Sequence, residues 1–417
     1  MTTFPTRIGF DDAMTILRDV AARRALPPEA VALSRAHGRV LAHDLVATLP
    51  QPGFDNSAMD GFAVRHADLA SEGETVLRLI GDQFAGVAGD VEVGEGECLR
   101  ITTGAPLPRG ADTIVIKENT RLQGERVVVL ASAKPGQHVR RAGEDVAVGD
   151  PLLSAGQVLT PSRIALAAGQ GLERLDVARR PTVAVFTTGD ELVEPGLPLQ
   201  HGQLYNSNRE LLAGLLRADG FEPVLWPNLP DDPAAIASAL RHAGHAFDVV
   251  ITCGGVSAGE KDHVPALLQA EGHVHFWKVR MKPGMPLLFA GSHSAFDRPG
   301  EGGLGEALFL CLPGNPVSVL ATYLTFGRAL LDGLQARNDA RPRLRARLRN
   351  AWCKTHERLE FLRGRLSCDD SGQLWVDANP ADGSHRMRAA ADSDALIVLG
   401  EGEATFEAGA LVDVLTY

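Results

Sequence analysis

Acidic residues and glycines follow two apolar segments of the 417-residue sequence that have the composition of buried strands. The segment V-A-V-F-T-T-G-D-E-L is interpreted as a strand that ends at Thr187 and Thr188. The segment D-V-V-I-T-C-G-G-V-S-A-G-E-K-D is interpreted as a strand that ends at Thr252 and Cys253. The predicted ligand-binding residues at these two ends are Thr188, Gly189, Asp190, Glu191, Gly254, Gly255, Ser257, Gly259 and Asp262.

Both loops have the chemistry of an anion site that also holds a cation. Glycines let backbone amides approach a phosphate closely, and a helix that begins after the loop adds a partial positive charge. The carboxylates beside such an anion imply a hard dication, because Mg²⁺ bridges acidic side chains to phosphate oxygens. We therefore predict a magnesium and phosphate site, with Glu191 and Asp262 among the acids that serve it.

Two lysines lie in the segment F-W-K-V-R-M-K-P-G-M-P-L. Lys278 and Lys282 are four residues apart and flank a predicted strand that ends in the turn Pro283–Gly284. Pro283 and Gly284 are included among the predicted cofactor-binding residues. As compact positive charges they suit the neutralisation of a phosphate or another oxyanion. Taken alone, the spacing also fits two ordinary surface lysines.

A third predicted strand closes with L-P-G-N-P, residues 312–316. Pro316 suits the first turn of a helix, where its missing N–H removes no hydrogen bond. The amides of Gly314 and Asn315 are then free to face a ligand, so Pro313 to Pro316 are included in the predicted binding site. A purely structural strand-to-helix turn is the alternative.

These loops require a fold that brings strand ends together. Between residues 182 and 334, apolar strand patterns alternate with amphipathic helix patterns, which indicates a doubly wound α/β domain with a parallel sheet. In such sheets ligands bind beyond the carboxyl ends of the strands. The loops described above are therefore expected to meet at one edge of the sheet.

The rest of the chain has a different pattern. Helical spacing runs from about Asp11 to Ala36 and is broken at Pro27–Pro28, and a second helix is predicted near 161–175. Short β-like runs fill residues 45–146, and further β-like runs follow Arg337. In P-R-L-R-A-R-L-R-N the alternation places Leu344, Ala346 and Leu348 on one face of a predicted strand, with arginines on the other.

Composition excludes several classes of protein. The net charge of −11, from 41 basic and 52 acidic residues, argues against a general nucleic-acid binder, which needs a positive field. The five cysteines are odd in number and lack C-x-x-C spacing, which fits a reducing cytoplasm rather than a disulfide framework. We find no export signal and no apolar run long enough to span a membrane.

Seven motifs together resemble, in order and spacing, the molybdopterin molybdenumtransferases of molybdenum cofactor synthesis, a family that includes the C-terminal domain of gephyrin. The motifs are F-D-N-S-A-M-D-G-F-A-V, R-I-T-T-G-A-P-L-P-R-G-A-D-T-I-V-I-K-E, F-T-T-G-D-E-L-V-E-P-G, G-Q-L-Y-N-S-N, V-I-T-C-G-G-V-S-A-G-E-K-D-H-V, F-W-K-V-R-M-K-P-G-M-P-L and L-P-G-N-P-V-S-V.

The resemblance implies a four-domain subunit within an α/β multi-domain fold. A helical connecting domain is expected at 1–45 and 146–178, with a β-rich domain inserted at 46–145. The α/β molybdopterin-binding domain is expected at 179–334, and a C-terminal β-barrel-like domain at 335–417.

The resemblance also implies the reaction and the partners. Members of the family form homodimers, receive adenylylated molybdopterin from a molybdopterin adenylyltransferase, release AMP and insert molybdate, with Mg²⁺ assisting. A molybdenum enzyme or a cofactor-modifying protein then accepts the product. The implied location is the cytoplasm, with no role for nucleic acid or membrane.

Residue roles transfer from the family where the motifs match. The implied catalytic residues are Asp60, Glu191, Asp231, Asp262, Lys278 and Lys282; Glu191, Asp231 and Asp262 are also the implied metal ligands, and Thr103 and Asp145 are implied cofactor-binding residues. Asp60 is expected to reach the cleft of the neighbouring subunit. Asp231 is preferred over Asp232, because Asp232 precedes Pro233 and has the position of a helix N-cap. Met285 stands where members often carry lysine.

Three alternatives stay open at this point. Adenylylation of molybdopterin by the α/β domain itself is the first alternative, because the partner enzyme shares its fold and its glycine loops. A dimeric scaffold with a vestigial site is a second alternative, since gephyrin-type chains also bind receptor peptides. Tungstate instead of molybdate is a third, because the two oxyanions have the same shape and charge.

Overall fold

The computed structural model describes residues 4–86, 89–257, 259, 262–292 and 304–417. The first elements are β1 (Thr6–Ile8), α1 (Phe10–Arg23), β2 (Pro28–Ala32) and β3 (Leu45–Val46). The helix predicted to start near Asp11 is confirmed, but it ends at Arg23 and not beyond it. Residues 28–32 are extended instead, because they pair with a later strand (residues 174–178) and Pro27 and Pro28 cannot continue the hydrogen bonds of a helix.

Short strands dominate the next hundred residues, as predicted. They are β4 (Asn56–Ser57), β5 (Gly61–Val64), β6 (Thr75–Gln83), β7 (Glu97–Ile101), β8 (Thr113–Ile116), β9 (Thr120–Gln123), β10 (Arg126–Val129) and β11 (Val139–Arg140). Six of them form one sheet in the order β8-β5-β7-β6-β10-β9. Apolar residues on both faces of this sheet are buried, including Val64 and Leu99.

The chain then returns to pair with its beginning. The elements here are β12 (Pro151–Leu153), α2 (Pro161–Gly169) and β13 (Arg174–Ala178). β12 pairs with β3 and β13 pairs with β2, both antiparallel, so two separate stretches of chain build one small core around Leu41 and Val177. Thr160 caps α2 by accepting a hydrogen bond from the amide of Arg163, and Pro161 occupies the first turn.

An α/β unit follows. Its strands are β14 (Val183–Thr187), β15 (Leu192–Val193), β16 (Leu204–Tyr205), β17 (Val224–Leu225), β18 (Val249–Cys253), β19 (Gly272–Val279), β20 (Met281–Lys282), β21 (Leu288–Ser292) and β22 (Leu308–Leu312). Its helices are α3 (Ser207–Ala218), α4 (Pro233–Ala246), α5 (His263–Glu271), α6 (Pro316–Thr322) and α7 (Arg328–Leu334), with a π-helical turn at Tyr323–Gly327 between the last two.

The main sheet has the order β1-β19-β21-β22-β18-β14-β17. Alternate residues of β14 contribute to cores on opposite faces, where Val185 packs with α3 residues and Phe186 packs with α4 residues. The doubly wound α/β architecture is therefore confirmed. The prediction of a parallel sheet is wrong at β21, which is antiparallel to both neighbours. Only residues 280–287 separate β19 from β21, and a parallel crossover needs about a dozen residues or more.

Register brings three strand ends to the same level. In the parallel pairs β14–β18 and β18–β22, Thr187 is opposite Cys253 and Cys253 is opposite Leu312. The loops that begin at Thr188, Gly254 and Pro313 therefore leave the sheet side by side.

The C-terminal region is a small barrel. Its elements are β23 (Leu344–Leu348), β24 (Trp352–Lys354), β25 (Leu359–Cys368), β26 (Leu374–Ala378), α8 (Met387–Ala391), β27 (Ala395–Leu399), β28 (Ala404–Phe406) and β29 (Leu411–Thr416). Five strands close in the order β25-β26-β23-β29-β27, and β27 pairs back with β25. Ala346 and Leu348 are buried as predicted, whereas Leu344 is exposed at the start of its strand. β20 of the α/β unit joins this barrel by pairing with β25.

Among the described residues, no helix combines the length and the apolar composition that a membrane crossing requires.

Candidate functional site

A cavity of about 270 Å³ opens where the aligned strand ends leave the main sheet. Described residues from five connecting segments and from α3 contribute to its wall, which indicates that the edge of the sheet and not a single motif forms the cavity. The predicted site residues that line it are Thr188, Gly189, Glu191, Asp231, Gly254, Gly255, Ser257, Asp262, Pro313 and Gly314.

The glycine loop after β18 fits against Thr188 at close range. Gly254 and Gly255 have φ values of +95° and +63°. A Cβ atom on Gly254 would lie 2.8 Å from the Thr188 carbonyl oxygen, and one on Gly255 would lie 2.9 Å from the Thr188 hydroxyl oxygen. Both positions therefore require glycine for conformation and for space.

Local hydrogen bonds fix the acidic loops. The Asp262 carboxylate accepts a hydrogen bond of 2.7 Å from the amide of Gly259. The Asp190 carboxylate accepts one of 3.0 Å from the amide of Asp231, so Asp190 braces the loop that carries Asp231 and is not part of the cavity wall. Asp232 accepts bonds from the amides of Ala234 and Ala235, which confirms the prediction that it caps α4.

The three acids share a cavity but do not form a ready-made metal cage. Within the described ranges, no three His, Cys, Asp or Glu side chains come together as a group that could hold a metal ion. Mg²⁺ typically takes only one or two carboxylates and completes its shell with water and substrate phosphate oxygens. Glu191, Asp231 and Asp262 supply only hard oxygen ligands, so this donor set fits Mg²⁺ in that mode.

Asn208 and Cys253 are among the lining residues that were not part of the predicted binding site. The Asn208 side-chain amide donates a hydrogen bond of 2.6 Å to the Gly314 carbonyl and so ties α3 to the loop after β22. Cys253 is buried beneath the loops, and burial raises the pKa of its thiol to about 12. The signal for Asn208 was its place in N-S-N immediately before a helix pattern, where Asn206 caps α3.

The predicted lysines lie outside the cavity wall. The Lys278 ammonium lies 4.4 Å from the centre of the Trp277 ring, and its backbone has a φ of +67°. The Lys282 ammonium lies 3.0 Å from a Glu360 oxygen and 3.4 Å from an Asp382 oxygen, and both acids belong to the C-terminal region. Lys282 therefore faces the barrel in this structure.

Two further predicted binding segments, Pro283–Gly284 and Asn315–Pro316, also lie outside the cavity wall. Pro283 and Gly284 follow β20, outside the cavity wall. Asn315 donates a hydrogen bond of 3.0 Å from its side chain to the Ser384 hydroxyl, and Pro316 begins α6 as predicted. Asn315 and Pro316 directly follow the lining residues Pro313 and Gly314 but do not line the cavity themselves.

A second group of predicted residues lies in the β-rich region. One Asp60 carboxylate oxygen accepts bonds of 2.9 Å from both the amide and the hydroxyl of Thr103, and Lys117 lies 3.7 Å from the other. These contacts, those of Thr103 first, hold the pKa of Asp60 below its usual value. Asp145 is exposed, and its amide donates to the Gln51 carbonyl.

Three family models match successive parts of the chain. Residues 8–171 match the MoeA N-terminal region (domains I and II), residues 184–333 match the probable molybdopterin binding domain, and residues 345–417 match the MoeA C-terminal region (domain IV). A molybdopterin molybdenumtransferase of Haemophilus influenzae is 37% identical over 92% of this chain and 92% of its own length. The chain belongs to the molybdopterin molybdenumtransferase family.

Further relatives also match this chain over nearly its whole length. Molybdopterin molybdenumtransferase 2 of Mycobacterium tuberculosis is 37% identical over 94% of this chain and 95% of its own length. Among solved structures, the molybdopterin biosynthesis MoeA protein of Pyrococcus horikoshii superposes with a TM-score of 0.81 and 26% identity, over 98% of this chain and 100% of that one. The multi-domain α/β fold expected from the resemblance is thereby confirmed.

Proposed function

We propose that this protein inserts molybdate into adenylylated molybdopterin with release of AMP, as a molybdopterin molybdenumtransferase. The observation that carries the proposal is the cavity at the aligned ends of β14, β18 and β22, where Glu191, Asp231 and Asp262 stand beside glycine loops. A phosphoanhydride fits this arrangement, because amides can hold its oxygens while a cation offsets the charge of the acids.

Mg²⁺ is the proposed cofactor, with Glu191, Asp231 and Asp262 as the residues that would hold it. The ion would neutralise phosphate oxygens during cleavage of the anhydride. The residues themselves would orient the adenylylated phosphates, and one of the three acids would accept a proton from the attacking water. Lys278 and Lys282 would offset the charge of phosphate or molybdate as these anions approach the dithiolene.

The proposed active unit is a homodimer. Asp60 and Thr103 do not line the cavity of their own subunit, and we propose that Asp60 serves the cavity of the partner subunit, with Thr103 and Asp145 in the same binding surface. A molybdopterin adenylyltransferase would supply the substrate, and a molybdenum enzyme or a cofactor-modifying protein would accept the product. The proposed location of these exchanges is the cytoplasm.

Release of AMP from adenylylated molybdopterin, with molybdate present, tests the function. We expect turnover in magnesium buffer, loss of turnover in EDTA, and a fall of about 10³-fold in Glu191→Gln, comparable to the loss of a major electrostatic group. Arg345→Ala is the matched control, because Arg345 is exposed on the barrel and pairs with Asp413. ATP consumption without a partner would favour the adenylyltransferase alternative, and equal turnover in EDTA would exclude the magnesium role.

A further inference from the structure

Two carboxylates of the C-terminal region hold the Lys282 ammonium, and the structure gives them unequal environments. The Glu360 side chain is 4% exposed, whereas that of Asp382 is 57% exposed. The ammonium lies 3.0 Å from Glu360 and 3.4 Å from Asp382. One partner is thus buried and close, and the other is open to solvent and more distant.

Backbone pairing fixes the buried partner. β20 and β25 pair in parallel, and their register places Lys282 directly opposite Glu360. The Glu360 oxygen that contacts the Lys282 ammonium, Oε1, also lies 3.3 Å from Nε2 of His356, so two neighbouring groups contact the same atom. Lys282 has a long, flexible side chain, and a fixed carboxylate restricts where its ammonium can lie.

The exposed partner belongs to a barrel segment that also contacts the cavity loops. Ser384, two residues after Asp382, accepts a hydrogen bond from the side chain of Asn315, and its carbonyl accepts one of 3.1 Å from the amide of Val317. Asn315 directly follows Gly314 of the cavity wall. Residues 382–384 therefore connect the lysine to the border of the cavity.

We propose that Glu360 is a positioning residue that holds the Lys282 ammonium at the border of the cavity, and that Asp382 is the partner which an incoming oxyanion replaces. The inference rests on the proposed role of Lys282 in neutralising molybdate or phosphate. A solvent-exposed carboxylate at 3.4 Å contributes little attraction and is readily exchanged for another anion. The buried Glu360 carboxylate is held in a fixed register and is not exchanged. If it moved away from the ammonium, its negative charge would remain buried without a partner.

The two acids should consequently affect molybdate in opposite directions. Glu360→Asp keeps the charge but withdraws the carboxylate by one methylene, so the ammonium loses its fixed position. We expect the KM for molybdate to rise about ten-fold with kcat changed less than two-fold, as for a small displacement of a binding group. Asp382→Asn removes the competing anion, so the KM should fall about three-fold, within the range of an exposed ion pair.

The test is the AMP-release assay at varied molybdate, with thermal unfolding measured on the same proteins. Asp413→Asn is the control, because it breaks an exposed ion pair of the same barrel without contacting Lys282.

Two results would overturn the inference. In the first, Glu360→Asp shifts the KM for molybdate no more than the control does, while Lys282→Ala still raises it; the proposed function then stands. A lowered unfolding temperature and kcat with an unchanged KM would also overturn it, because the pair would then serve only stability. An unchanged KM in Lys282→Ala would remove the role of the lysine as well.

Discussion

The cavity of the α/β unit and the Asp60 group of the β-rich region hold their acids in different ways. The cavity brings Glu191, Asp231 and Asp262 from separate loops to one wall. In the β-rich region, Asp60 stands apart from that wall and is already bonded to Thr103 and approached by Lys117. The cavity therefore gathers like charges that a cation would offset, whereas the charge of Asp60 in the β-rich region is already supported by its neighbours.

This comparison separates the part of the site that forms within one subunit from the part that we assign to the dimer. Parallel register alone aligns the ends of β14, β18 and β22, so the cavity forms within one subunit. Asp60 lies between β4 and β5 of the β-rich region and does not line that cavity. In the proposed dimer, the second subunit supplies this connection.

The largest effect is expected when a cavity acid loses its charge. Asp262→Asn should reduce turnover of AMP release about 10³-fold, because an amide neither binds a dication strongly nor accepts a proton. The folded structure should persist, since an amide can still accept the hydrogen bond from the amide of Gly259. Steady-state kinetics and circular dichroism measure the two properties. Near-normal turnover would remove Asp262 from the site.

A change in the glycine loop should have the next largest effect. In Gly255→Ala the new Cβ would lie 2.9 Å from the Thr188 hydroxyl at a φ of +63°, so the loop must shift. A displacement of this kind reduces turnover by about 10²-fold. Gly214→Ala on α3 is the control, because a Cβ there meets nothing within 4 Å. Equal turnover in the two variants would show that the loop does not position substrate.

A change beside Asp60 in the β-rich region should alter the pH dependence of kcat/KM. Thr103→Val removes the hydroxyl that donates to Asp60, so the pKa of Asp60 should rise toward its usual value. The acid limb of the kcat/KM profile should then move to higher pH, because a hydrogen bond that stabilised the ionised carboxylate has been removed. An unmoved acid limb would mean that ionisation of Asp60 does not limit the reaction.

The smallest effect is expected at the thiol beneath the cavity. Burial raises the pKa of Cys253 to about 12, so the thiol stays protonated and closed to reagents. Iodoacetamide at pH 8 should label the exposed Cys353 and Cys368 and leave Cys253 unlabelled, as mass spectrometry of peptides would show. Rapid labelling of Cys253 would indicate that the cavity floor opens in solution.

Sequence patterns predicted the parts of the site that depend on local periodicity. Apolar strands ending in glycine and acid predicted the loops at Gly189 and Gly254, and a helix N-cap predicted the role of Asp232. The antiparallel β21 and the pairing of Lys282 with Glu360 were not predicted, because both depend on contacts between distant parts of the chain. The domain borders, such as the one at residues 45 and 46, stay predictions.

Mixed dimers give the most direct test of a site shared between subunits. Coexpression of Asp60→Asn and Asp262→Asn chains with different affinity tags allows dimers with one chain of each kind to be isolated. In a two-fold symmetric dimer, one cavity would then have an intact Asp262 and an intact Asp60 from the partner, while the other would lack both. We expect about half of the parent turnover per dimer. Turnover no higher than that of either single-variant dimer would contradict the shared site.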